Sequence, residues 1–254
     1  MSSVTNVVVN RGIKKILMCD QKSRNSLSLA MMRNLLEHIK EGRENQDLRV
    51  IILAAQGPVF SAGHNLKELT SEAGRTKHEE VFRLASELMS SIIDSPVPVI
   101  AQRPLVCQLV AQCDIAVCTE NSKFSTPGAN FGIFCSTPGI PLARKVQGST
   151  ALHMLLTGLP ITAAEAKASG LVSKVCTADD LEGEVQKISD AILSKSRSVI
   201  GLGKRFYYKQ VDLDVRRAYD LGGEDGGESG HEGRQGGNQE LRGEKEAGLV
   251  ARGQ

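Results

Sequence analysis

The sequence predicts an α/β protein in which strand, strand, helix units repeat and a helical region closes the chain. Three observations predict it. Residues Val50–Ala55 form a continuous apolar run ended by Gly57 and Pro58, the habit of a strand buried on both faces of a parallel sheet. Leu29, Met32, Leu35, Leu36 and Ile39 recur at helical spacing after a strand-like segment. At 254 residues and 41% apolar side chains the chain can enclose one sizeable core, so one domain is expected. That domain is placed at residues 1–221, with its core over about 5–195 and C-terminal helices over 196–221.

Residues 6–9 and 13–19 are β-type runs on either side of Arg11 and Gly12, which suits a hairpin. The helix of Leu29 to Ile39 follows the polar stretch 20–28, and the strand Val50–Ala55 comes next. A second helix is expected over 79–93, where Val81, Ala85, Leu88 and Ile92 repeat the pattern. Short buried strands follow at 97–101 and 115–117. Thr162 with Glu165 forms a capping box that starts a short helix, and Gly170 stands where a helix end takes left-handed backbone. This helix should feed a strand over 171–175. Leu181, Val185, Ile188 and Ile192 then share one helical stripe, and a further helix is expected over 198–219.

Composition changes at Gly222, because 11 of the 25 glycines fall in residues 222–254 among charges and few apolar side chains. Such a segment cannot bury enough surface to offset its ordering entropy, and disorder is expected.

Lys and Arg number 31 against 29 Asp and Glu, a net charge of +2. That balance gives no strong pull toward nucleic acid or an anionic membrane. No apolar run reaches the roughly 18 residues needed to span a bilayer, and a soluble protein is expected. Cys19, Cys107, Cys113, Cys118, Cys135 and Cys176 form no CxxC pair and mostly lie in apolar runs. Reduced core thiols of an intracellular protein are expected, and no metal site. Residues 1–10 read directly into a strand, without an Arg-rich amphipathic stretch or an apolar leader.

The stretch that carries chemistry follows the buried strand. Residues 57–68 read Gly-Pro-Val-Phe-Ser-Ala-Gly-His-Asn-Leu-Lys-Glu. Small residues at Ser61, Ala62 and Gly63 let the backbone approach a ligand closely, and an N–H exposed there can donate to a carbonyl oxygen becoming an oxyanion. A lone Ala-Gly pair would read as an ordinary strand-to-helix turn. The longer string resembles the FxAGxDL motif of the enoyl-CoA hydratase/isomerase (crotonase) family, with Asn65 where the family usually has Asp. Further matches follow in order. Residues 96–101 look like the strand that leads to the family's second oxyanion loop, and residues 108–114, Gln-Leu-Val-Ala-Gln-Cys-Asp, look like its ELAxxCD helix. Phe124 to Gly132 resembles FxxPExxxG, and residues 157–172 resemble TGxxIxAxEAxxxGLV. The resemblance spans about residues 6–219.

The resemblance implies a spiral β-sheet wrapped by helices, assembled as a homotrimer or a dimer of trimers. It implies a CoA thioester as substrate or ligand, no separate cofactor, and a thioester carbonyl held between two backbone N–H groups. The first donor is then the N–H of His64. CoA would run past Lys22, Arg24 and Asn25 and past Ser61, Ala62, Gly63 and Leu66. The His64 side chain need not take part in that contact; it would face the acyl pocket, where an acid/base role is open to it because imidazole is the attractive proton carrier nearby. Mitochondrial location is implied by the branch the motifs resemble, with the cytoplasm as the alternative.

Three departures qualify this expectation. Hydration of a 2-enoyl thioester in the family uses two glutamates, and their positions hold Gln108 and Gly128. Glutamine orients a water but cannot accept its proton, and glycine does neither. Secondly, the loop for the second oxyanion donor is reduced to residues 102–106, about five residues shorter by motif matching, with Pro104 and no glycine. The donor near Leu105 is therefore expected to be disrupted, a loss worth roughly 3 kcal/mol of transition-state stabilisation; the alternative is a rebuilt loop that still supplies it. Thirdly, residues 243–251 back-translated and read one nucleotide later can spell Glu-Lys-Arg-Lys-Pro-Val-Trp-Ser, which resembles the family's C-terminus. A shift of reading frame near Gly222 is the expectation. An acyl-CoA-binding protein of fatty-acid metabolism is the leading reading, and a non-catalytic partner-binding or scaffold protein on the same fold is the alternative. RNA binding, found in one branch of the family, is disfavoured by the charge balance and by the lack of a long basic helix.

Overall fold

A computed structural model describes residues 4–57, 63–102 and 107–223. Strands β1 (Thr5–Asn10) and β2 (Ile13–Met18) pair antiparallel with Asn10 opposite Ile13. Arg11 and Gly12 between them have φ of 47° and 77°, the backbone by which a two-residue turn matches strand twist. Helix α1 (Leu29–Lys40) begins at Ser28, whose hydroxyl accepts the Met31 N–H. It ends on the buried ammonium of Lys14, which donates to the carbonyls of His38 and Glu41 and to the Glu41 carboxylate. The carbonyls of the last turn, which a helix leaves unpaired, are thereby satisfied.

Strand β3 (Val50–Ala55), helix α2 (Arg75–Ile93), strand β4 (Val99–Gln102), helix α3 (Cys107–Gln112) and strand β5 (Ile115–Thr119) follow. After the short strand β6 (Lys123–Phe124) come α4 (Ser136–Lys145) and α5 (Gly148–Thr157), then β7 (Ile161–Thr162), which pairs antiparallel with β6. Helix α6 (Ala163–Ala168), strand β8 (Lys174–Cys176), and helices α7 (Leu181–Leu193) and α8 (Arg197–Gln210) complete the order, with residues 215–223 also helical. The main sheet runs β1-β2-β3-β4-β5-β8, parallel in every pairing except the first.

Strand β3 is covered on both faces, as its unbroken apolar run requires. Ile51 and Leu53 join Ile16, Leu35 and Leu88 in the main core under α1 and α2. Val50 and Ile52 face the other way, onto Leu181 and Val185 of α7. Each such aliphatic side chain contributes about 1.5–3 kcal/mol over leaving it in water.

Several boundaries differ from the sequence expectation. Helix α2 starts at Arg75, before the expected 79. The strand expected over 171–175 begins only at Lys174, because the N–H groups of Leu171 and Val172 turn back to the Ala166 carbonyl and close α6. The helix expected over 198–219 is two segments: α8 ends at Gln210, and Asp214 restarts the helix by accepting the N–H groups of Arg216 and Arg217. Helices α4 and α5 were not expected at all, since Pro138, Gly139 and Pro141 hide the periodicity of α4. Gly222 and Gly223 are helical. The tail 224–254 and residues 103–106 of the short loop lie outside the described residues, as does the chain beyond the expected shift of reading frame near Gly222.

All six cysteines are free. Burial pushes the Cys113 thiol up to about 12 and Cys118 to about 11, which keeps them protonated as small apolar groups. Among the described residues no helix is long and apolar enough to cross a membrane, and no cluster of His, Cys, Asp or Glu could hold a metal ion.

Candidate functional site

Beyond β3 the chain returns to the start of α1. The Leu27 N–H donates to the Gly63 carbonyl at 2.8 Å within a single parallel bridge between Leu27 and His64. Gly63 takes φ +90° there, a conformation that L side chains resist. Asn65 Oδ1 accepts the Lys67 N–H at 3.2 Å and caps the 3-10 turn Leu66–Glu68. Capping needs an oxygen acceptor and no charge, so Asn serves where the family motif has Asp. Glu68 Oε2 accepts the Leu29 N–H at 3.0 Å, which sets a carboxylate at the positive end of α1. Glu68 is thus committed to fastening the loop.

A cavity of about 310 Å³ opens beside this loop. Leu66 and Leu69 from the loop, Phe82 from α2, and Phe131 and Ile133 make its apolar wall. Arg24, His64, Gln108, Ser125 and Thr137 supply polar groups. No Asp or Glu lines it among the described residues.

His64 packs edge-on to Phe82, with ring centroids 5.8 Å apart. Its Nε2 lies 3.3 Å from Thr137 Oγ1 in the first turn of α4. Burial lowers the pKa of His64, and the nearby Gln108 side chain opposes that shift, so the ring is neutral at pH 7. Gln108 is 2% exposed. His64 Nδ1 and Gln108 Oε1 make no short hydrogen bond to the described residues, yet the Gln108 side chain is near enough to act on His64 as a hydrogen-bond partner, so the two groups answer each other. The N–H of His64 makes no backbone hydrogen bond among those residues. Among the described residues no carboxylate lines the cavity to orient the imidazole.

Gly128 sits in the turn Pro127–Phe131. Its N–H donates to Cys135 Sγ at 3.3 Å, and its carbonyl accepts the Ile133 N–H at 3.0 Å. A Cβ at this position would meet the Ile133 carbonyl oxygen at 2.4 Å and Cys135 Sγ at 2.6 Å. The backbone has closed around Gly128, and a larger side chain there would require the turn to shift.

Of the residues singled out in the sequence, the structure brings Arg24, Gly63, His64, Leu66, Gln108 and Gly128 to this one cavity. Lys22 and Asn25 are not on its lining. Asn25 is 1% exposed and donates to the Gln56 carbonyl at 3.0 Å, so its side chain braces the loop. Ser61, Ala62 and Leu105 lie outside the described residues. The sequence points neither Phe82 and Thr137 nor Cys107 and Cys135, read there as core thiols, to the cavity that all four line. The first is one apolar residue on an amphipathic helix, and Thr137 belongs to a helix whose prolines concealed it.

The mostly parallel sheet, flanking helices and glycine-bearing loop beside an apolar cavity define a crotonase-type fold. The chain belongs to the enoyl-CoA hydratase/isomerase family, which it matches over residues 9–222. It is 50% identical over 215 residues to mouse enoyl-CoA hydratase domain-containing protein 3, mitochondrial, an alignment covering 83% of this chain and 72% of that protein. Among solved structures it is similar to human enoyl coenzyme A hydratase domain-containing protein 3, with TM-score 0.85 and 49% identity over 87% of this chain and 89% of that one. An enoyl-CoA hydratase of Mycobacterium smegmatis is similar with TM-score 0.84 and 36% identity, over 87% and 88% of the two chains.

Proposed function

We propose that the chain binds an acyl-CoA thioester of fatty-acid metabolism in the cavity beside His64 and Gln108, and that it does not perform ordinary enoyl-CoA hydration. The observation that carries this reading is a cavity at the family's motifs whose described lining holds no carboxylate. The thioester carbonyl accepts from the N–H of His64, and the acyl chain enters among Leu66, Leu69 and Phe82. Without a proton acceptor at position 108 or 128, a water near C3 of an enoyl chain is oriented but not activated. Two measurements test the reading. Isothermal titration with butyryl-CoA should show binding, and a hydratase assay with crotonyl-CoA should show no turnover above a heat-treated control. Absence of binding overturns the first half and leaves the scaffold reading, and turnover overturns the second.

The same proposal includes a homotrimer, or a dimer of trimers, in mitochondria. Phe131, Phe134, Leu152, Leu156 and Leu159 are each more than half exposed, an apolar area that a second copy would cover. The relatives' mitochondrial designation supports the location. Light scattering that gives a monomer, or fractionation that leaves the protein in the cytosol, overturns the corresponding part.

A further inference from the structure

Two thiols line the cavity, and their settings differ. Cys107 is 1% exposed and packs into the main core. Cys135 is half-buried at the head of α4, and its sulfur accepts the Gly128 N–H at 3.3 Å. Burial pushes the Cys135 thiol up, and the Gly128 N–H opposes that push because it favours a thiolate. Glycine at 128 is what leaves room for the sulfur, since a Cβ there would stand 2.6 Å from Cys135 Sγ.

His64 stands against the same helix. Its Nε2 lies 3.3 Å from Thr137 Oγ1, two residues beyond Cys135. The Gln108 side chain is the hydrogen-bond partner that opposes the effect of burial on the ring. With the carboxamide oxygen taking the Nδ1 proton, Nε2 is the basic nitrogen and is turned to the head of α4. A thiol, an imidazole and a group that orients the imidazole thus share one cavity, the three parts that nucleophilic catalysis requires.

We infer that Cys135 is a nucleophile that takes the acyl group from a bound acyl-CoA, with His64 as its base and Gln108 as the positioning residue for His64. This rests on the acyl-CoA reading above and assigns that site a covalent step. Cys135 Sγ adds to the thioester carbonyl carbon while its proton passes to His64. The bond from that carbon to the CoA sulfur then breaks, and the departing sulfur takes the proton from His64 and leaves as free CoA thiol. One thioester forms for one broken, so the step needs neither oxidant nor reductant. A standing thiolate is not needed either, because the thiol gives up its proton as it attacks. Gln108 and Gly128, which cannot serve hydration, both serve this step.

The test incubates the full-length protein with butyryl-CoA and reads intact mass and released CoA. The chain should gain one butyryl group and release one CoA, and the new bond should yield to neutral hydroxylamine, which cleaves a thioester and spares a lysine amide. Cys135→Ala should lose the adduct and still bind butyryl-CoA by isothermal titration, whereas Cys107→Ala should keep the adduct. His64→Phe should slow acylation about 100-fold, a usual contribution of a positioned base. Gln108→Leu should slow it at unchanged affinity, and Gln108→Glu, which keeps an oxygen acceptor, should restore it; a merely structural role would not separate rate from affinity. Binding without an adduct overturns the inference and leaves the acyl-CoA reading standing. An adduct that persists in Cys135→Ala overturns the assignment to Cys135, and an unchanged rate in His64→Phe overturns the role of the imidazole. Failure to bind overturns the acyl-CoA reading and the inference with it.

Discussion

Lys204 Nζ lies 2.7 Å from Asp114 Oδ2, with the two side chains 6% and 15% exposed. The pair fastens α8 to the sheet that carries the site. Asp114 Oδ2 also accepts the Val99 N–H at 2.7 Å, and Oδ1 accepts the Tyr208 hydroxyl at 2.9 Å. Lys204 donates in addition to the carbonyls of Ile92 and Val97. One carboxylate and one ammonium thus join the end of α2, the start of β4, the start of β5 and α8. Burial lowers the Lys204 pKa while Asp114 resists that shift.

The consequences of breaking this pair are asymmetric. Asp114→Ala leaves a buried ammonium facing two carbonyls with no counter-charge, and removal of one partner of a buried pair costs about 3–5 kcal/mol. Lys204→Met leaves Asp114 with two strong donors and fills the ammonium's channel with an apolar chain of similar length, so the loss should be smaller. Urea denaturation of both variants checks this. The midpoint should fall further for Asp114→Ala, and the reverse order contradicts the account.

How much of this was legible beforehand differs by physical cause. The hairpin at Arg11 and Gly12, the doubly buried β3 and the stripes of α1 and α7 rest on local patterning, and each is where the sequence predicts it. The capping box at Thr162 is present with both of its hydrogen bonds, and Gly170 has φ +87°. Helix α4 was illegible because Pro138 and Pro141 suppress propensity while tertiary packing, which buries Leu142, sustains the helix. The Lys204–Asp114 pair joins residues 90 positions apart, and no local signal encodes such a partner. Within the site, Gln108 and Gly128 were readable as departures from a motif. That a side chain at Gly128 would collide with Ile133 and Cys135 was not, since it depends on how the chain folds back after the turn.

Glu68 should act as a positioning residue for the loop that bears His64. Its carboxylate serves the Leu29 N–H at 3.0 Å beside the Ser28 cap. Glu68→Ala removes a charged acceptor from the N-terminus of α1 and should lower stability by about 1 kcal/mol. Acyl-CoA affinity should fall as well, because the loop is released. Glu68→Gln, which keeps an oxygen acceptor, should restore most of both. If the alanine variant binds acyl-CoA like the unaltered protein, the loop does not depend on this contact.

His64 should give the protein a weak acid sensitivity. Burial depresses its folded-state pKa below the unfolded value of about 6.5. As pH falls through about 6.5 the unfolded chain takes up the proton first, so stability falls from there until the folded-state pKa is passed, and above that window the contribution is complete. One group yields a slope of at most about 1.4 kcal/mol per pH unit. His64→Phe should remove this component, which urea midpoints of the two proteins at pH 7.5 and 5.5 will reveal. Parallel losses in both proteins would assign the acid sensitivity to other groups.

Restoring the family glutamates should not restore hydration. Gln108→Glu returns a carboxylate to the cavity, but Gly128→Glu must place a Cβ 2.4 Å from the Ile133 carbonyl oxygen and 2.6 Å from Cys135 Sγ. Such contacts force the backbone to move, and overpacking of this kind costs about 1–3 kcal/mol. Gly128→Ala alone should therefore lower the unfolding midpoint, although it adds one methyl group. The double variant Gln108→Glu with Gly128→Glu should stay inactive on crotonyl-CoA, because the rearranged turn does not deliver the second carboxylate opposite the first. Hydratase turnover by the double variant would mean that the turn reopens at little cost. The missing carboxylates would then be two substitutions on an otherwise competent site, and the closed backbone at Gly128 would be no barrier to hydration.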